Sequence, residues 1–284
     1  MPTFTTPDGT TLAYHATGEG PPLVCLPGGP MQASAYLGDL GGLSAHRTLI
    51  RPDLRGTGDS ATPEDPASYR CDRQVDDVEA LREELALDHL DVLAHSAGAN
   101  LAALYTARHP DRVARLALIT PSVYAVGIDI TAEDRLSTAR LRQGEEWYDE
   151  AYAALEAITE GRATPDSWEA VAPFWHARWD DEAKAVRAAE GEQRNDEAAA
   201  VYGSDGAFEP EATRAALGGF AGPVLVLAGE VDLAGPPQAM REYAELFPDA
   251  ESVVQSGAGH FPWLDGAERF VTAVVSFLGS TDPV

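Results

Sequence analysis

Ser96 lies between a predicted strand, residues 90–93, and a predicted helix, residues 97–108. A serine in such a sharp strand-to-helix turn is held clear of the sheet on a strained backbone, and only small residues fit two positions before and after it. Ala94 and Gly98 meet that requirement, although the motif G-x-S-x-G would have glycine at both positions. The pattern predicts that Ser96 is a nucleophile.

A serine hydroxyl is essentially un-ionised at neutral pH and needs a base. His109 ends the predicted helix that begins next to Ser96, so at about 1.5 Å per residue it would lie more than about 15 Å away. His176 lies in a helical segment and would have to reach the site from there. His260 lies in a glycine-rich loop, residues 257–262, between a predicted strand and the last predicted helix. This position favours His260 as the general base.

A carboxylate that orients the base should follow a strand that precedes His260 in the sequence. Residues 224–229 form such a strand, and Glu230 and Asp232 follow it directly. Asp265 is a more remote candidate. The carboxylate would hold the imidazole in the productive tautomer and stabilise the imidazolium.

Acyl transfer also needs two N–H donors for the developing oxyanion. One is expected to be the backbone N–H of Ala97, at the start of the helix after the nucleophile. The other is expected from the loop that follows the strand at residues 23–26, where two glycines allow the backbone to approach a substrate closely. Pro30 has no N–H, so the donor is Gly29 or Gly28, and Gly29 is preferred.

These residues must be positioned by a sheet whose short apolar strands alternate with helices. Nearly continuous apolar runs are typical of strands covered on both faces, and the alternation predicts an α/β protein with a mostly parallel central sheet and helices on both sides. The predicted strands are residues 23–26, 48–50, 90–93, 116–119, 224–227 and 251–255, and helices are predicted at residues 72–86, 97–108 and 266–278.

The alternation stops between residues 122 and 219, where the periodicity is helical and four of the five tryptophans occur. We interpret residues 122–219 as a helical cap, or lid, inserted between two parts of the core, residues 1–121 and 220–284. A helical domain with no role at the site is the alternative.

Composition excludes several function classes. The chain of 284 residues has 46 acidic and 20 basic side chains, a formal net charge of −26. Such a surface repels nucleic acids and anionic lipids, so neither is expected as a partner. The start of the chain lacks the features of a signal peptide, and no apolar run approaches the roughly 18 residues of a membrane span. A cytoplasmic protein acting on a small-molecule substrate is expected.

No cofactor or metal is expected either. Residues 56–61 fit the loose dinucleotide fingerprint G-x-G-x-x-A, but that fingerprint needs a helix to begin there, and the prolines in residues 62–66 prevent one. The sequence has neither a P-loop nor the Cys/His spacing of a metal site.

Taken together, these motifs resemble the α/β-hydrolase superfamily over essentially the whole chain. Residues 53–60 are similar to the D-x-R-G-x-G-x-S turn of that family, which is mainly structural. The resemblance implies the α/β-hydrolase fold and the chain order serine, acid, histidine. The family pattern strand-Gly-x-x-Asp favours Asp232 over Glu230. A triad of Ser96, Asp232 and His260 would cleave a carboxylic ester or amide through an acyl-enzyme.

The loop at residues 27–31 and the helical cap resemble those of the proline iminopeptidase group, although that group usually has histidine where this chain has Pro27. The resemblance implies that acidic cap residues hold a substrate ammonium group, for which Glu190, Glu192 and Glu145 are candidates. Two other classes stay open. A lyase or cyclase would use the same triad with Ser96 only positioning the substrate, and a receptor would use the fold to bind a small molecule.

Overall fold

The computed structural model describes residues 1–279, and its centre is one eight-stranded sheet. The strand order is β1-β2-β4-β3-β5-β6-β7-β8. The first two strands pair antiparallel, and the other six run parallel. The strands are β1 (Thr3–Thr5), β2 (Thr11–Thr17), β3 (Pro22–Leu26), β4 (Thr48–Pro52), β5 (Leu90–His95), β6 (Val113–Ile119), β7 (Val224–Gly229) and β8 (Ala250–Gln255).

The described residues form eleven α-helices, which alternate with the strands or follow one another in the segments that connect them. They are α1 (Val75–Glu84), α2 (Gly98–Arg108), α3 (Ala132–Arg140), α4 (Tyr148–Thr159), α5 (Pro165–Ala170), α6 (Asp181–Gln193), α7 (Asp196–Tyr202), α8 (Pro210–Leu217), α9 (Pro237–Ala244), α10 (Pro262–Asp265) and α11 (Ala267–Leu278). None of the helices within residues 1–279 is long and apolar enough to cross a lipid bilayer.

Both faces of the sheet are buried at its central strands, as their continuous apolar runs predict. Leu23 and Cys25 of β3 belong to one apolar cluster, which α11 covers, whereas Val24 and Leu26 belong to the other, which includes residues of α1, α2 and α9. Because successive side chains of a strand point to opposite faces, a strand with helices on both sides must be apolar throughout. The predicted fold class is therefore confirmed.

The chain between β6 and β7, every residue of which the structure describes, contains six α-helices and no strand. Helices α3 and α4, together with residues that follow α5, contribute to a separate apolar cluster that includes Tyr148, Leu155 and Phe174. Tyr202 of α7 and Leu217 of α8 belong instead to the main cluster. Only the middle of the helical segment therefore packs in a cluster apart from the main one, and Leu233 joins that cluster from outside the segment. The boundaries at residues 122 and 219 stay a prediction.

Candidate active site

The turn between β5 and α2 holds Ser96 in the left-handed region, with φ of 51°. This conformation is uncommon for a residue with a side chain and is typical of strained functional turns. Gly98 lets α2 approach β3 closely, because a Cβ atom at this position would lie 2.5 Å from the carbonyl oxygen of Pro27. The small residue two positions after the serine is thus required by the packing of the helix against the strand.

Ser96, His260 and Asp232 form a continuous hydrogen-bonded row. Ser96 Oγ lies 2.9 Å from His260 Nε2, and His260 Nδ1 lies 2.9 Å from Asp232 Oδ2. Asp232 is fully buried, and its second oxygen accepts the backbone N–H of Ala234 at 2.9 Å. Because an ionised carboxylate only accepts hydrogen bonds, His260 carries its proton on Nδ1 and presents an unprotonated Nε2 to the serine hydroxyl.

The backbone of His260 is held on both sides. Its N–H donates to the carbonyl oxygen of Trp175 in the helical segment at 2.9 Å. Its carbonyl oxygen accepts from His95 Nε2 and from Thr120 Oγ1, each at 2.9 Å. Sequence reasoning did not assign a role to these three partners. Of the three, only His95 had a feature in the sequence that could have pointed to it, because it directly precedes Ser96.

The loop after β3 lies against the nucleophile, and its two glycines differ in their hydrogen bonds. The N–H of Gly28 donates to the hydroxyl of Tyr36 at 2.7 Å. Within residues 1–279, no acceptor is present for the N–H of Gly29 or of Ala97. Gly29, Ala97 and Ser96 line one cavity. Gly29 therefore has an N–H available to a ligand, whereas that of Gly28 is already engaged.

The other candidate acids, Glu230 and Asp265, accept hydrogen bonds from residues near the histidine loop. Glu230 accepts the Ser256 hydroxyl at 2.9 Å and the Gly257 N–H at 2.7 Å. Asp265 accepts the N–H of Gly259 at 2.8 Å and that of Ala177 at 3.3 Å. Both carboxylates thus stabilise the backbone near the histidine loop, and neither bonds to the imidazole of His260.

The other two candidate bases occupy different places. His109 follows the last residue of α2, at the opposite end of the helix from Ser96. His176 lines the same cavity as Ser96 and stacks on Phe261 with ring centres 5.2 Å apart. Burial lowers the pKa of His176 to about 4, and burial also holds the pKa of His95 well below 6.5. Both rings are therefore neutral near pH 7.

The cavity has a volume of about 1220 Å³ and lies between the sheet and the helical segment. Tyr124 and Trp168 line it and are 68% and 55% exposed, so they mark its mouth. One part of its wall is apolar and is formed by Ile128, Ile130, Leu155, Ile158, Val171 and Leu233. The arrangement fits an organic substrate with an apolar portion.

Of the three glutamates considered for an ammonium group, only Glu190 is among the described residues that line this cavity. It pairs with Arg187, another lining residue, at 2.6 Å. Glu145 pairs with Arg142 at 3.3 Å, and Glu192 is exposed. An ammonium group would therefore meet Glu190 beside an arginine.

Among the described residues, one group has metal-ligand chemistry, and it shares no member with the row of Ser96, His260 and Asp232. His15, Asp53 and Asp59 have potential ligand atoms within 4.8 Å of one another. Asp53 is buried, however, and its carboxylate already accepts the N–H and hydroxyl of Ser34, the N–H of Asp59 and a hydrogen bond from His15. These contacts hold the turn at residues 53–60 together, as its resemblance to the family turn implies.

Comparison with known proteins places the chain among hydrolases. It is 34% identical to a proline iminopeptidase of Heyndrickxia coagulans over 112 residues, which are 39% of each chain. It is 26% identical to a 2-hydroxymuconate semialdehyde hydrolase of Pseudomonas putida over 96% of this chain and 92% of that protein. The crystal structure of a proline iminopeptidase from Mycobacterium smegmatis superposes with a TM-score of 0.72 at 26% identity, over 98% of this chain and 97% of that one. Residues 21–267 match the alpha/beta hydrolase fold family, and the chain is an enzyme that belongs to this family.

Proposed function

We propose that this hydrolase cleaves a small-molecule carboxylic ester or amide through an acyl-enzyme on Ser96. The observation that carries the proposal is the row of two 2.9 Å hydrogen bonds from Ser96 through His260 to the buried Asp232. A nucleophile in contact with a base, itself oriented by a third group, is the arrangement that activates a serine.

The proposed reaction begins when Ser96 Oγ attacks the substrate carbonyl carbon and His260 Nε2 takes the hydroxyl proton. The oxyanion is stabilised by the N–H groups of Gly29 and Ala97. His260 then protonates the leaving group, and the carbon–heteroatom bond breaks. Water, deprotonated by His260, releases the acid and restores Ser96. Asp232 stabilises the imidazolium in both halves of the cycle.

We further propose that residues 122–219 act as the cap of this site. The support is that Leu155, Trp168 and Trp175 of this segment line the cavity that contains Ser96. Trp175 also accepts the backbone N–H of His260, so the segment contacts the base directly. A closed cap excludes water and strengthens electrostatic interactions at the reacting atoms.

Hydrolysis of p-nitrophenyl esters tests the proposal. Ser96→Ala and His260→Ala are each expected to lower kcat by about 10⁴-fold or more, because the members of a triad act as a unit. Ser256→Ala, which removes an exposed serine near the histidine loop, is the matched control and should retain activity. If folded Ser96→Ala hydrolyses the esters at the normal rate, Ser96 is not the nucleophile and the proposal is wrong. If the folded wild type hydrolyses no ester, the proposal is also wrong, and a lyase function takes its place.

A second candidate is removal of an N-terminal proline from a peptide. It is favoured by Glu190 in the cavity wall and by the similarity to proline iminopeptidases. Proline 4-nitroanilide should then be cleaved, and Glu190→Gln should raise KM about tenfold through loss of an ion pair with the substrate amine. Glu192→Gln is the control, because Glu192 lies two residues after Glu190 and is exposed. Hydrolysis of simple esters without cleavage of proline 4-nitroanilide would exclude this candidate.

A further inference from the structure

We propose that Tyr36 and His95 are positioning residues that hold the loop carrying Gly29 in register with the base His260. The inference rests on the proposed function of Gly29 and His260 and adds a physical link between them. The link is a chain of three hydrogen bonds, from the Gly28 N–H through the Tyr36 hydroxyl and the His95 ring to the His260 carbonyl.

The direction of every hydrogen bond in this chain is determined by its two ends. The Gly28 N–H can only donate, so Tyr36 Oη accepts at 2.7 Å and uses its own proton to donate to His95 Nδ1, also at 2.7 Å. His95 Nδ1 is therefore unprotonated. The ring carries its proton on Nε2, which donates to the His260 carbonyl oxygen at 2.9 Å, an atom that can only accept.

The surroundings keep the two side chains in place. His95 is 1% exposed, and its ring centre lies 5.6 Å from that of Tyr36 and 4.8 Å from that of Trp263. Burial holds the pKa of His95 well below 6.5, so the ring stays neutral and the hydrogen-bond directions persist across the working range of a histidine base. A buried network with every member satisfied is rigid.

The three hydrogen bonds affect the residues at both of their ends, Gly28 and His260. Gly28 directly precedes Gly29, so a fixed Gly28 N–H restricts rotation of the peptide groups that lead to the Gly29 N–H. At the other end, the His260 carbonyl is held by His95 together with Thr120. Tyr36 is not among the described residues that line the cavity, so it acts on the reaction through its neighbours. Its loss should therefore change kcat and leave KM nearly unaltered.

Tyr36→Phe tests the inference, because it removes only the hydroxyl. The expected result is a fall of about tenfold or more in kcat for p-nitrophenyl butyrate, with KM changed by less than about threefold, since small displacements of catalytic groups are costly. The matched control is Tyr243→Phe. Tyr243 is buried, and its hydroxyl has no hydrogen-bond partner among the described residues, so its loss should leave kcat unchanged.

A pair of substitutions at His95 provides a second test, which does not depend on the folding of Tyr36→Phe. His95→Gln keeps a donor and an acceptor on one planar group, whereas His95→Leu keeps neither. The glutamine variant should therefore retain a kcat about tenfold higher than the leucine variant, at similar KM.

The outcomes separate this inference from the proposed function. Wild-type kcat in folded Tyr36→Phe, or equal kcat in the two His95 variants, would overturn the inference while ester hydrolysis through Ser96 stands. Full activity in Ser96→Ala would instead overturn the proposed function and, with it, the inference.

Discussion

Replacing Asp232 with asparagine tests whether this carboxylate sets the tautomer of His260. In the structure, one carboxylate oxygen accepts the Ala234 N–H and the other accepts from His260 Nδ1, each at 2.9 Å. An asparagine that keeps its oxygen on the fixed Ala234 N–H must point its NH₂ group at Nδ1. Nδ1 then has to accept, so the imidazole proton moves to Nε2, which faces Ser96 and can no longer take the serine proton.

The size of the effect follows from the two orientations of the asparagine. The flipped orientation would bring two donors, the amide NH₂ and the Ala234 N–H, face to face in a site where Asp232 is fully buried. An unsatisfied buried donor costs about 1–3 kcal/mol, so the unproductive tautomer dominates by about 5- to 150-fold. Loss of the charge that stabilises the imidazolium adds to this, and the total expected fall in kcat is about 10⁴-fold, as for the same change in a serine protease triad.

The assay is kcat for p-nitrophenyl butyrate, measured on protein whose fold is verified by circular dichroism. Glu230→Gln is the matched control, since Glu230 precedes Asp232 in the same loop and, among the described residues, its side chain bonds only to Ser256 and Gly257. It should retain kcat within about threefold, because this side chain is only half-buried and does not bond to the imidazole. A folded Asp232→Asn variant with less than a tenfold loss would refute the assignment of Asp232 as the orienting acid.

Three further predictions concern the supports of the site. Gly98→Ala should lower the free energy of unfolding by about 1–3 kcal/mol in urea titrations, because its Cβ would lie 2.5 Å from the Pro27 carbonyl oxygen; an unchanged midpoint would contradict the close packing. Tyr202→Phe removes the 2.8 Å hydrogen bond to the Ala97 carbonyl and should cost about 1 kcal/mol, together with a severalfold lower kcat. His176 has a pKa of about 4 in the folded protein and 6.5 unfolded, so protons bind preferentially to the unfolded chain and stability falls as the pH drops from 6.5 towards 4. His176→Gln should flatten that part of the pH profile of urea unfolding, and an unaltered slope would show that His176 is not the group responsible.

The sheet could be predicted from β3 onwards but not at the edge formed by β1 and β2. The strands β3 to β7 stand out because they are bounded apolar runs, and they are buried for most of their length. The strand β8, at the opposite edge of the sheet, has a single buried residue. The first strand, Thr3–Thr5, is three residues long with one buried side chain, too short to show a period. The second, Thr11–Thr17, has only two buried residues, and it lies between the short edge strand β1 and β4. Edge strands lack the continuous apolar signal that double-sided burial imposes.

At the site, the order of the candidate residues could be read from the sequence. The contacts that depend on the path of a loop could not. The structure brings Ser96, Asp232 and His260 together from the ends of three strands, since the carboxyl ends of parallel strands meet at one edge. Tyr36 could not have been found in this way. It lies 59 residues from His95 in the sequence, and their contact depends on the path of the loop after β3. Likewise, the hydrogen bond that occupies the Gly28 N–H depends on that path, so the choice of Gly29 was open from the sequence alone.

The most direct test of the central claim is covalent labelling of the enzyme by a fluorophosphonate, with the modified residue mapped by mass spectrometry. Only an activated serine reacts rapidly with such a reagent. We predict a single adduct on Ser96 in the wild type, no adduct in Ser96→Ala, and labelling slowed by orders of magnitude in His260→Ala. Folded wild-type protein that remains unlabelled, or that is labelled at another residue, would contradict an acyl-enzyme mechanism at Ser96.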